Sequence, residues 1–212
     1  MKYRIHSLLL VIICMTFYTC KKSDARATVD HLPYFNSADF TPKWEKGSHK
    51  IPAFSFVNQD SVVITNKTFE GKIYIADFFF TSCSGICPKL TKNMRSLQEK
   101  YKDDDDIMLL SHTVMPWKDS ISVIKKYAKE NFVNNVKWYL VTGDKEQLYS
   151  IARKGYFADE DFVKTQDESN FIHTENFILI DKLGYIRGVY NGTLEVDVDR
   201  LKRHIKILQK EG

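Results

Sequence analysis

Cys83 and Cys87 stand four positions apart in Thr81-Ser82-Cys83-Ser84-Gly85-Ile86-Cys87-Pro88. An almost wholly apolar stretch precedes them and a stretch with helical spacing follows, so the pair sits on a strand-to-helix turn. Such a turn exposes side chains at a sheet edge, and the positive end of the helix dipole favours thiolate over thiol. Sulfur held there can act as a nucleophile or as a metal ligand. Two cysteines at this spacing can close a disulfide or converge on one ion. Thiolates are soft donors that suit Cu(I), yet two of them fill only part of a coordination sphere. A third donor has to come from elsewhere in the chain.

His173 is the best candidate. It precedes the apolar run Phe177-Ile178-Leu179-Ile180 and follows a long polar stretch, Ala158 to Asn170, without regular pattern. A loop of that kind can carry an imidazole over the cysteine turn. By sequence order alone, a surface histidine at a strand entrance is the simpler account. Asp77, six residues before Cys83 in an otherwise apolar strand, opens a redox alternative. A buried carboxylate with a raised pKa could take a proton from Cys87 during thiol–disulfide exchange. Its plainer reading is a carboxylate satisfied by a neighbouring Lys, Thr or backbone N–H.

The elements that must position these residues follow from periodicity. Lys72 to Phe80 reads as the central strand, apolar on both faces. Leu90, Met94, Leu97 and Tyr101 recur at helical spacing after Cys87-Pro88. The acidic run Asp103 to Asp106 then makes a solvated turn, since it lacks the interleaved Gly or Asn of a calcium loop. Ile107 to Val114 and Val136 to Val141 are further strands, with a helix through Ile121, Ile124, Tyr127 and Ala128 between them. Leu148, Ile151 and Ala152 suggest another helix. Phe177 to Asp181 and Tyr185 to Tyr190 flank the turn Lys182-Leu183-Gly184, and Val196, Leu201, Ile205 and Leu208 mark a closing helix. Ile51 to Phe56 and Val62 to Thr65 suggest an N-terminal β-hairpin. This order predicts an α/β, thioredoxin-like fold: a central mixed sheet flanked by helices.

The chain has 212 residues, 43% hydrophobic and 27% charged, which suits one globular domain. A net charge of +4 is too balanced for a dedicated nucleic-acid binder, and four cysteines are too few for a disulfide scaffold. The start is an address. Lys2 and Arg4 precede the apolar run Leu8 to Met15, and Cys20 ends the segment. The run falls short of the ~20 residues that span a bilayer. It resembles a bacterial lipoprotein signal with Cys20 as the lipidated residue, although Phe17 and Tyr18 stand where that pattern prefers Leu and a small residue. The alternative is an uncleaved or ordinarily cleaved signal. Either places the domain outside the cytoplasm, where disulfides persist. The resulting division is a signal at 1–19, a polar tether at 20–45 and the domain at 46–212. Such a domain would face the periplasm from a lipid-anchored position in the cell envelope.

The motifs together resemble the SCO/SenC family of copper chaperones for cytochrome c oxidase assembly. They are Cys83-x3-Cys87-Pro88 after an aromatic strand, Trp138-Tyr139-Leu140-Val141-Thr142-Gly143, His173-Thr174, and Phe177-Ile178-Leu179-Ile180-Asp181-x-x-Gly184. The resemblance spans roughly residues 50 to 210. It implies a copper ion held by Cys83, Cys87 and His173. It also implies an oxidase copper-site subunit as recipient, with a copper donor or thiol reductant as a second partner. The chain departs from the family at Gly85, where an acidic residue is common, and at Val114-Met115-Pro116, where Val-Asp-Pro is usual. Met115 is soft enough to touch copper but reads better as a loop filler.

Two other functions use the same cysteines. In a thiol–disulfide oxidoreductase Cys83 attacks and Cys87 resolves; in a copper-dependent sensor a partner reads the redox state. Thioredoxins place a cis-proline before the strand that faces their disulfide, whereas His173-Thr174-Glu175-Asn176 fills that entrance here. His31, His49, His112 and His204 lack metal-ligand spacing with a cysteine and read as structural or surface residues. Trp44, Trp117 and Trp138 read as packing aromatics, with Trp117 near the expected mouth.

Overall fold

The computed structural model describes residues 31–159 and 172–212. The signal at 1–19, the lipidation position Cys20 and most of the polar stretch before His173 lie outside the described residues. In chain order the strands and helices begin with β1 (Tyr34–Phe35), β2 (Pro42–Lys43), β3 (Ser55–Asn58), β4 (Val63–Thr65), β5 (Ile73–Phe79) and α1 (Cys87–Lys100). They continue with β6 (Ile107–Thr113), α2 (Ile121–Glu130), β7 (Trp138–Thr142) and α3 (Lys145–Ser150), which passes into a π-turn at Ile151–Gly155. The hairpin β8 (Asn176–Ile180) and β9 (Ile186–Asn191) and the helix α4 (Glu195–Glu211) complete the chain.

Every side chain of β5 is buried, so the strand needs cover on both faces and neighbours on both sides. It has them: β6 runs parallel to it, from Ile73↔Ile107 to Phe79↔Thr113, and β8 runs antiparallel, from Tyr74↔Ile180 to Ala76↔Ile178. Among the described residues the main sheet has the order β4-β3-β7-β6-β5-β8-β9. This is the expected α/β, thioredoxin-like arrangement. One face, carrying Ile73, Ile75 and Phe79, packs against α1 and α4 through Leu90, Met94, Leu97, Leu201 and Ile205. The other, carrying Tyr74, Ala76 and Phe78, packs under Phe54, Phe56, Leu148, Ile151 and Ala152.

The antiparallel pairing of β5 with β8 has a direct consequence for chemistry. The end of β5, which leads to the cysteine turn, lies beside the start of β8, which follows His173. Segments far apart in sequence therefore meet at one end of the sheet's inner strands.

Two boundaries differ from those that periodicity predicts. The N-terminal hairpin pairs Ser55↔Thr65 through Val57↔Val63, so its first strand starts later than Ile51. The reason is a competing bond, Ile51 N–H to the Gly184 carbonyl at 2.9 Å. The tether is shorter than 20–45, because residues from His31 onward belong to the domain. Leu32 is 1% exposed within the core, and Arg187 donates to the Leu32 and Pro33 carbonyls. Main-chain bonds to a buried guanidinium leave no hydrophobic period to read.

Candidate metal centre

The cysteine turn begins where β5 leaves the sheet. Phe79 O still accepts from Val114 N at 2.9 Å, and Cys83 N then donates to Phe80 O at 3.2 Å. The helix starts at Cys87 with Pro88 in its first turn, where a missing N–H costs nothing. Between these points Thr81 is held by Asp119, which is 0% exposed and comes from the loop after β6. The Asp119 carboxyl group accepts from Thr81 N at 3.2 Å, from Thr81 Oγ1 at 2.5 Å and from Thr113 Oγ1.

Both cysteines are free thiols; Cys87 is buried and Cys83 is half-buried. The two sulfurs hydrogen-bond to each other, and their acidities separate. Burial alone would raise the Cys83 thiol. Hydrogen bonds from the Cys87 thiol and from the backbone N–H groups of Cys87, Gly85 and Ile86 outweigh it and lower the pKa. Cys87 is pushed up to about 12, by burial first and then by its bond and charge interaction with Cys83, with the Asp77 charge adding to it. Cys83 is thus the sulfur that ionises first.

Asp77 lies on the same face of β5, 2% exposed, and accepts from Ser111 Oγ. Ser111 Oγ in turn accepts from Trp138 Nε1 at 2.8 Å. Burial pushes this carboxyl up to about 7 against the opposing Ser111 bond. The buried, raised carboxyl expected from sequence is therefore present, and its hydrogen-bond partner is a serine.

Ile172 is fully buried and Thr174 nearly so, with Asn176 N donating to Thr174 Oγ1 at 3.2 Å, while His173 between them is exposed. Both cysteines and His173 line one cavity of about 500 Å³, whose apolar walls include Phe78, Phe80, Val114 and Ile172. The structure thus gathers all three expected ligands around one space. It does not close them on a point: among the described residues no three His, Cys, Asp or Glu side chains form a group close enough to hold a metal ion. Two soft thiols and an imidazole around a largely apolar cavity suit a soft monovalent ion.

The other histidines do different work. His112 is 0% exposed, boxed by Phe54, Phe56, Phe78 and Tyr156, and neither ring nitrogen has a hydrogen-bond partner. His49 Nε2 lies 2.7 Å from Gly155 O, His204 Nδ1 lies 2.8 Å from Tyr190 Oη, and His31 rests edge-on against Trp44. Met115 is absent from the cavity lining, as is Trp117, which is exposed with Lys145 Nζ 5.3 Å from its ring centre. Sequence reasoning missed Asp119. Only its pairing with Thr81 reveals its role.

Comparisons with known proteins agree with this fold. The SCO1/SenC family model matches residues 43–208. A SCO1/SenC family lipoprotein from Bacillus anthracis has a similar structure, with a TM-score of 0.65 and 28% identity over 76% of this chain and 95% of its own. BsSco is described as a member of the Sco family of cytochrome c oxidase assembly proteins, with a disulfide switch. It aligns with a TM-score of 0.64 and 27% identity over 76% of this chain and 93% of its own. Copper-bound ScoI of Arabidopsis thaliana aligns with a TM-score of 0.57 and 25% identity over 75% and 98%.

Proposed function

The chain belongs to the SCO1/SenC family, and from that premise we propose that it carries one copper ion on Cys83, Cys87 and His173 and delivers it to the copper-site subunit of a cytochrome c oxidase. The observation that carries the proposal is the shared cavity: both thiols and the exposed imidazole line it. Copper-bound ScoI supports the metal, and the oxidase-assembly role of BsSco supports the destination.

The residues divide the work by their acidities. Cys83, half-buried and more acidic, meets the ion first. Cys87 has to release its proton as the second thiolate forms, so affinity rises with pH. His173 supplies the third donor by moving in from the cavity wall. Closing a Cys83–Cys87 disulfide removes both thiolates and stops loading, which ties copper handling to the redox state of the compartment.

Titration of the reduced chain with Cu(I) against a chelator of known affinity tests the site. One ion per chain is expected, binding abolished in Cys83→Ser and Cys87→Ser, and affinity down on the order of tenfold or more in His173→Ala. Unchanged affinity in His173→Ala would remove that ligand from the reading.

The second reading is thiol–disulfide exchange on oxidase cysteines, with Cys83 attacking and Cys87 resolving. The hydrogen-bonded sulfur pair favours it, as does the disulfide switch of BsSco. Reduction of a disulfide substrate that survives in His173→Ala and is lost in Cys83→Ser, with copper binding intact in His173→Ala, selects this reading.

For location, the proposal places lipid on Cys20 and the domain in the cell envelope facing the periplasm. The Bacillus anthracis lipoprotein supports it. Among the described residues no helix is long and apolar enough to cross a membrane.

A further inference from the structure

Asp119 and Tyr149 stand outside the three ligands, yet each holds one of the segments that carry them. Asp119 immediately precedes Ser120, the N-cap of α2, and so stands one position before the residue that would cap the helix. Ser120 makes no side-chain cap. Asp119 points into a fully buried position where Thr81 N, Thr81 Oγ1 and Thr113 Oγ1 all donate to it. Thr113 Oγ1 also accepts from Met115 N at 3.0 Å, which stiffens the loop that bears the carboxyl group. The loop thereby grips the residue two positions before Cys83.

The same loop reaches the histidine side. Tyr149 is buried at the end of α3, and its hydroxyl donates to Val114 O at 3.1 Å. The main chain of Ile172 hydrogen-bonds the same hydroxyl. Ile172 is fully buried, so the backbone that bears His173 is fastened immediately before it. Val114, for its part, donates its N–H to Phe79 O and lines the cavity. Hydrogen bonds thus tie Thr81 through Asp119 to Thr113, and the next residue in the chain, Val114, to Tyr149 and through it to Ile172.

We propose that the loop from Thr113 to Asp119 is a strut that sets the spacing between the sulfur and nitrogen halves of the copper site, with Asp119 positioning the cysteine turn and Tyr149 positioning His173. The inference rests on the reading that Cys83, Cys87 and His173 bind copper. The partly open site makes it consequential. When three donors must still converge, the feet from which they move decide how well they meet, and supporting residues of this kind are worth on the order of 10–100-fold in metal affinity.

The test uses the full chain with Cys83 and Cys87 reduced, and three variants that change one or a few atoms. Tyr149→Phe removes the hydroxyl, Thr81→Val removes the hydroxyl donor to Asp119 while keeping the main-chain N–H and the side-chain shape, and Thr81→Ser keeps both donors. The readouts are Cu(I) affinity by chelator competition, the thiolate-to-copper absorption band of the Cu(II) form, and the Cys83–Cys87 disulfide potential. Tyr149→Phe is expected to lose on the order of tenfold in affinity and to shift the band toward that of His173→Ala, with the disulfide potential unchanged. Thr81→Val is expected to alter both band and potential, and Thr81→Ser to recover them. If Tyr149→Phe and Thr81→Val keep the wild-type band and affinity while His173→Ala loses them, the strut is wrong and the ligand reading stands. If His173→Ala itself changes nothing, the ligand reading falls and takes the strut's histidine arm with it.

Discussion

Two buried ionisable side chains on opposite faces of the sheet give stability opposite dependences on pH. Burial in the aromatic box pushes His112 down from 6.5 to about 3. As pH falls below about 6.5 the unfolded chain takes up a proton that the folded chain refuses, so stability declines toward pH 3. Asp77 works the other way, because burial pushes it up from 3.8 to about 7. The folded chain keeps a proton that the unfolded chain releases, so the Asp77 contribution is full below about 3.8 and is lost as pH rises toward 7. Asp77→Asn is therefore expected to raise the urea midpoint above neutral pH and to do little near pH 4. His112→Phe should stabilise at every pH by removing two unpaired buried nitrogens, about 1–3 kcal/mol, and by more as pH drops below 6.5. Midpoints measured for both variants across this range check the signs; parallel shifts at all pH values would break the account. Part of this was legible from sequence. Asp77 announced itself as one acid in an apolar strand, and His112 read as structural or surface, since nothing local tells a paired histidine from an orphaned one.

Among the elements, α1 carries most of the burden, because it presents Cys87 from its first turn and roots in the core through Leu90, Met94 and Leu97. Leu97 is fully buried, and Leu97→Ala is expected to cost about 2–5 kcal/mol. Chemical denaturation measures this loss, while the copper absorption band of the folded fraction should remain wild-type; a changed band would mean that helix packing and ligand geometry are coupled. Helix α1 was readable from its helical period and strand β5 from its nearly continuous apolar run. Helix α3 was less so: after Ser150 the chain widens into a π-turn that places Gly155 O against His49 and brings Gly155 close to Pro52 and Ile151. Those partners come from other segments, and a local window does not contain them. The same limit hid Asp119 and Tyr149, whose roles exist only once the loop after β6, the cysteine turn and the histidine segment have met.

For the whole molecule, the sulfur pair and the imidazole differ in how much of the chain must be in place to create them. Cys83 and Cys87 are joined by a single turn. His173 arrives only when β8 has paired with β5, as in Ala76↔Ile178, a closure over roughly a hundred residues and far slower than the local turn. A pulse of oxidant early in refolding is expected to trap more Cys83–Cys87 disulfide than the same pulse given to the folded, copper-loaded chain; equal trapping would mean that the two halves form together. On the proposed copper reading, the newborn chain is then expected to pass through an interval as a bare dithiol, during which oxidant and copper compete for it on unequal terms. Whichever arrives before β8 docks would then decide the state in which the molecule begins its working life.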